Sequence, residues 1–174
     1  MHTLTVLLLL AMLATLATSQ GSPLYFGTTM FTFHTASSPL ANCIHDTSAT
    51  ASPLKCNISN SDLTLWTLTG PTVTPGDEAL SPTTPAMLNP YGSGSLTQWC
   101  IPKNSTSYLD QNTVLCNSVP ILGWLMFIKT SGYYGNGIFS SDQFAILNVC
   151  NGKFCTMGGV GMISCNTEDI AFAT

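Results

Sequence analysis

An all-β fold is what this sequence predicts, and three observations predict it. Beyond the N-terminal apolar run, no stretch places apolar residues at the spacing of an amphipathic helix. β-Formers instead recur in short runs separated by turn residues. Six of the seven cysteines also read as three copies of one arrangement: Cys43…Cys56…Trp66, Cys100…Cys116…Trp124 and Cys150…Cys165…Phe172. In each copy an Asn (Asn57, Asn117, Asn166) follows the second cysteine, and self-similarity at this period marks a repeated supersecondary unit.

Taken in order, the chain opens with an apolar run from Thr5 to Leu16, too short to cross a bilayer, which needs about 20 residues. Small residues follow at Ala17, Thr18 and Ser19, the pattern of a cleavable signal peptide over residues 1–19, with Gln20 as the first mature residue. The remainder, 20–174, is long enough for one domain with its own core. Export implies an oxidising compartment, so the cysteines read as disulfides and not as metal ligands. The sequons at Asn57 and Asn104 fit N-glycosylation. After removal of the signal no segment is expected to insert into a membrane.

The stretch from Thr29 to His34 alternates, with Phe31 and Phe33 on one face. The run from Leu63 to Leu68 is a second strand candidate. Gly70 to Gly94 is dense in proline (Pro71, Pro75, Pro82, Pro85, Pro90) and Thr, which predicts an extended loop over about 70–94. Ile121 to Ile128 is continuously apolar and reads as a buried strand, and Phe144 to Val149 reads as another. Between them, Gly135-Asn136-Gly137 carries an Asn-Gly step that favours a tight hairpin. Gly158, Gly159 and Gly161 predict a bulge or bend in the last strand region.

The repeat pairs Cys43 with Cys56, Cys100 with Cys116 and Cys150 with Cys165, leaving Cys155 as the spare thiol. Pairing Cys150 with Cys155 and leaving Cys165 reduced is the nearest competitor. Trp66, Trp124 and Phe172 are expected to meet in a shared core.

Within this pattern, the stretch from Cys43 to Leu68 resembles a repeat of the ricin B-type β-trefoil family. That family has a cysteine pair, Asn after the second cysteine, and a Q-x-W signature near the end of the repeat. Here the Q-x-W slot holds Thr64-Leu65-Trp66, Leu122-Gly123-Trp124 and Ile170-Ala171-Phe172, keeping an aromatic but never Gln. The resemblance implies a β-trefoil-like single domain of three disulfide-stabilised repeats. Galactose binders of the family place Asp two residues after the first cysteine and an aromatic about two before the second. This chain has His45, Pro102 and Gly152 at the first place and Leu54, Val114 and Ile163 at the second. The resemblance therefore speaks for the scaffold more than for the sugar site.

Candidate ligand-binding residues lie where such a scaffold presents loops. Tyr108, Asp110 and Asn112 combine a ring, a carboxylate and an amide in the second repeat; His45 and Asp46 are their counterparts in the first. Tyr133 and Tyr134 flank the Gly-Asn-Gly turn on opposite faces, so one of them is exposed and suited to stacking on a sugar ring.

Four Lys, no Arg and eight acids give a net charge of −4, which excludes the basic surfaces that nucleic acid selects. After signal removal only His34 and His45 remain as imidazoles, and no nucleophile elbow, zinc-protease helix or phosphate-binding loop is present. No enzymatic activity, cofactor or metal is expected. The reading is a secreted, non-catalytic binding protein directed at glycans. A protein-directed inhibitor or effector on the same scaffold, or a structural wall or matrix component, is the alternative.

Overall fold

The computed structural model describes residues 21–36, 41–45, 51–57, 64–70, 74–79, 83–91, 99–102, 113–117, 124–132, 136–158 and 161–170. These residues are all-β, as the sequence predicts. Residues 1–19, with the expected signal peptide, lie outside the described residues. Eleven strands are described: β1 (Asn42–Ile44), β2 (Ala51–Pro53), β3 (Lys55–Asn57), β4 (Leu65–Thr69), β5 (Met87–Tyr91), β6 (Trp99–Pro102), β7 (Val114–Asn117), β8 (Leu125–Ser131), β9 (Gln143–Asn148), β10 (Lys153–Met157) and β11 (Ile163–Thr167). They form three antiparallel sheets, ordered β1-β3, β11-β10-β9-β8 and β2-β7-β6-β5-β4.

Three of the pairings are hairpin-like and bring cysteines face to face. In β1–β3 the register sets Cys43 opposite Cys56, in β6–β7 Cys100 opposite Cys116, and in β10–β11 Cys155 opposite Cys165. Directly opposed residues of an antiparallel pair are close enough for a disulfide to join them. Cys43–Cys56 and Cys155–Cys165 are bonded, and Cys116 is also disulfide-bonded. The third pairing thus corrects the expected Cys150–Cys165 bridge. Cys150 lies in the turn between β9 and β10, exposed and reduced, because the strand register delivers Cys155 to Cys165. The first cysteines of the three facing pairs, Cys43, Cys100 and Cys155, are 57 and 55 residues apart (43 to 100, 100 to 155).

Two sets of backbone hydrogen bonds draw distant parts of the chain together. At one place Leu24 N–H donates to the Ile138 carbonyl, Ile138 N–H to the Ala79 carbonyl, and Ala79 N–H to the Leu24 carbonyl, each at 2.8 Å. All three residues are buried. At another, Leu54 N–H donates to the Val114 carbonyl (2.8 Å) and Ile163 N–H to the Leu54 carbonyl (3.0 Å), while Thr113 bridges Ser164. Leu54, Val114 and Ile163 each stand two residues before the second cysteine of a pair, and all are buried. Gly161 sits at the turn before β11 with φ +79°, and a Cβ there would press on the Cys56 carbonyl at 2.5 Å. Glycine is what allows Cys56 N–H to reach the Gly161 carbonyl at 2.8 Å. The bend expected among Gly158 to Gly161 is this turn.

Trp66 is fully buried, and its indole N–H donates to the Cys43 carbonyl at 3.2 Å, so the ring's one polar atom is satisfied inside the core. Trp66 exchanges both backbone hydrogen bonds with Phe31, and Leu125 exchanges both with Ala86. Leu125 therefore makes with Ala86 the same reciprocal backbone exchange that Trp66 makes with Phe31. Trp124, expected in the core, is only half-buried, because adjacent strand residues point to opposite faces. Phe172 lies outside the described residues.

Three further expectations are corrected. The proline-dense region contains β5, which pairs with β4 along its whole length and includes the buried Pro90. Trp66 directs its N–H and carbonyl to Phe31, so Trp66–Pro90 is a pair that exchanges no ladder bonds, and the proline's missing donor is not required there. Second, β8 ends at Ser131 and β9 starts at Gln143, so Asn136-Gly137 does not close a two-residue hairpin. The longer connection carries Ile138 into the three-membered set of hydrogen bonds. β8 itself alternates, burying Leu125 and Phe127, where a continuously buried strand was expected.

Candidate functional site

A cleft of about 400 Å³ opens between the segment Thr32 to Ala36, the turn Ser140 to Phe144, and the disulfides of β1–β3 and β10–β11. That volume lies within the usual range of small-molecule sites. Its first wall follows from alternation. Phe33 turns inward, half-buried, with its ring centroid 5.4 Å from that of Trp66, while Thr32 and His34 are exposed. His34 bridges Asn42 through the backbone, which holds the wall beside the Cys43–Cys56 disulfide.

The opposite wall is a turn fixed by one carboxylate. Asp142 Oδ2 accepts the Phe139 N–H at 2.9 Å and meets Lys129 Nζ at 2.7 Å, and its side chain is wholly buried. The Lys129 ammonium also lies 5.2 Å from the Phe139 ring centroid, within reach of its π face. Gly132, at φ +125°, passes so close to the Asp142 carboxylate that a Cβ would collide with it. The turn is further tied down where Gly21 N–H donates to Ser141 Oγ (3.3 Å) and Ser140 N–H to the Ser22 carbonyl (3.0 Å). Phe144 packs edge-on against Phe127, centroids 5.2 Å apart.

Burial divides the lining into layers. Cys43, Cys56, Ile146, Cys155 and Ile163 are buried and apolar; Phe33 and Phe144 are half-buried above them. Apart from Asp142, whose carboxylate is buried, every polar lining residue among those described is exposed or half-buried. Several of these are already engaged within the protein: Thr35 Oγ1 accepts the Ala41 N–H at 3.0 Å, and Gln143 Oε1 accepts from the Ser131 hydroxyl at 2.7 Å. Thr32, His34, Ser140 and Thr156 have no side-chain hydrogen bond among the described residues, which leaves three hydroxyls and an imidazole for a ligand. Among the described residues Asp142 is the one charged lining residue, and Lys129 neutralises it.

Outside the cleft, Lys153 and Glu168 form an exposed pair across β10–β11 at 2.8 Å. The hydrogen bond from Lys153, and then its positive charge, hold the Glu168 carboxyl below its ordinary value.

Of the ligand-binding residues singled out from sequence, His45 alone is among the described residues. His45 is buried, 5% exposed, with its backbone N–H donating to Thr64 Oγ1 at 3.1 Å. Asp46, Tyr108, Asp110, Asn112, Tyr133, Tyr134 and the sequon Asn104 lie outside the described residues. Asn57 is described, exposed at the end of β3. Cys43, Cys56 and Cys155 line the cleft, Cys155 as a bonded cysteine where a spare thiol was expected. Sequence reasoning missed the cleft because its two walls are more than a hundred residues apart. The available signal was His34, a polar residue at the outward position of an alternating run.

No family model matches the sequence, and no curated protein or solved structure is similar enough to be matched to it.

Proposed function

We propose that this chain is a secreted, non-catalytic binding protein on a β-trefoil-like scaffold, and that its cleft takes a neutral carbohydrate. The scaffold reading is supported by three hairpins with opposed cysteines and by the two sets of hydrogen bonds that join three distant parts of the chain. Secretion is supported by the disulfides and by the apolar N-terminal run. N-glycosylation at Asn57 is consistent with that route, since the acceptor is exposed.

One observation carries the ligand class. The cleft sets two half-buried phenyl rings beside three hydroxyls and an imidazole, with the Asp142 carboxylate neutralised by Lys129. Rings that pack against C–H faces, with donors and acceptors around them, suit an uncharged polyol. The test is a glycan array probed with the purified secreted chain. Binding above background should fall about three- to tenfold in each of His34→Ala and Thr156→Ala, one hydrogen bond's worth, with an unchanged melting temperature. A blank array, or signal indifferent to both substitutions, sinks the reading.

One feature favours a protein-directed role instead. Leu65 and Tyr91 face each other across β4–β5 and are 42% and 52% exposed. Such a pair suits a protein interface better than a sugar. Inhibition of extracellular proteases that disappears in Tyr91→Ser, together with a blank glycan array, is the outcome that would select this role.

A further inference from the structure

Resting on the carbohydrate reading, we infer that the cleft binds a glycoside through an apolar aglycone laid against its floor, and not a free sugar. The layering of the lining carries this. Apart from the Asp142 carboxylate, which is engaged by Lys129 and the Phe139 N–H, the buried lining among the described residues is Cys43, Cys56, Ile146, Cys155 and Ile163, which offer two disulfides and two aliphatic side chains and no side-chain hydroxyl or amide. Phe33 and Phe144 extend that surface upward, and Met157, 41% exposed, forms an apolar lip.

A pyranose carries hydroxyls around its whole periphery. Pressed to this floor, those pointing down would lose water and gain no partner, which opposes binding. At the mouth the same ring meets Thr32, His34, Ser140 and Thr156. A ligand matched to both layers has a sugar at the mouth and an aryl or short alkyl group beneath it. The floor then gains apolar contact with disulfide sulfur, isoleucine and phenyl edges, and every hydroxyl keeps a partner or water. Shape agrees: about 400 Å³ accommodates a sugar together with a phenyl-sized group, whereas one monosaccharide would leave the floor wet.

The experiment titrates the full secreted chain with methyl and phenyl β-glycosides of glucose, galactose, mannose and N-acetylglucosamine, and with phenol alone. Binding is followed by protein NMR. The expected result is a phenyl glycoside bound at least tenfold more tightly than its methyl counterpart, with shifts at Ile146 and Ile163. That preference should shrink to under threefold in Met157→Ser, an exposed position that the fold tolerates. His34→Ala should weaken methyl and phenyl glycosides alike. Equal affinity for methyl and phenyl glycosides overturns the inference and leaves the carbohydrate reading standing. Phenol binding as tightly as any phenyl glycoside, or no glycoside of either kind shifting cleft resonances, overturns both.

Discussion

Single residues carry most of the local consequences. Trp66 fills the centre of the core with no exposed surface and donates its indole hydrogen to the Cys43 carbonyl, so truncation removes a large apolar volume and also leaves that carbonyl unmatched. Trp66→Ala is expected to lose about 3–5 kcal/mol in urea unfolding, the range for deleting a buried large aromatic. The cysteines divide more sharply. Cys155 is buried and bonded to Cys165, so Cys155→Ser should lower stability by about 2–5 kcal/mol. Cys150 is exposed and outside any disulfide, so Cys150→Ser should leave the unfolding midpoint where it is. Peptide mapping without reduction should find Cys150 alone alkylated among residues 150–165. Glu168 gives the pH test. Its folded value is depressed, so whatever the Lys153 pair contributes is present above the carboxyl's ordinary value and is lost as pH falls through the folded one. Carboxyl NMR should place the Glu168 midpoint below 4.5, and Lys153→Met should return it toward 4.5. Because Glu168 is fully exposed, the same substitution should barely change the melting temperature at neutral pH.

At the scale of elements, the turn from Ser140 to Gln143 depends on an ion pair that is nearly dry: Lys129 is 14% and Asp142 0% exposed in their side chains. Removing Lys129 takes away the cation that faces the buried carboxylate. Lys129→Met should destabilise the protein by about 3–5 kcal/mol, while the double change Lys129→Met with Asp142→Leu should recover much of it. Amide exchange at Phe139, which donates to Asp142, should rise first. Strands were the legible part of the sequence. Phe31 and Phe33 alternate as read, Trp66 is buried as read, and all-β holds among the described residues. What misled were rules that act locally. Proline density argued against a strand over Met87–Tyr91, yet β5 forms because Pro90 falls where no ladder bond is exchanged. Asn136-Gly137 argued for a tight hairpin, yet the chain runs on because Ile138 is needed elsewhere. Cys150 matched the spacing of a repeat, but β10–β11 register selected Cys155. For the cleft, only His34 stood out in sequence, since Ser140, Ser141 and Thr156 acquire meaning only from what packs beside them.

For the whole molecule, the decisive feature is the closed set of hydrogen bonds among Leu24, Ala79 and Ile138, residues 55 and 59 positions apart (24 to 79, 79 to 138). Each of the three donates to one partner and accepts from the other, so no one segment can leave without breaking two bonds and exposing buried side chains of the remaining pair. Contacts of such long sequence separation form only when most of the chain is already placed, which makes this junction a reporter of global rather than local opening. Segments near a chain end ordinarily fray unless tied down, and Leu24 is the fifth residue of the chain expected after signal removal. Its two bonds in this junction should hold it. Native-state hydrogen exchange tests this directly: the amides of Leu24, Ala79 and Ile138 should share one protection factor, equal to that expected from the global unfolding free energy, and should lose it together as denaturant is added. An N-terminal amide at Leu24 that exchanges a hundredfold faster than Ile138 would mean the junction opens piecemeal. The three parts of the chain would then be stabilised separately by their own hairpins and disulfides, and the cleft, whose walls come from the first and the last of them, would be a surface that assembles and disperses with that opening.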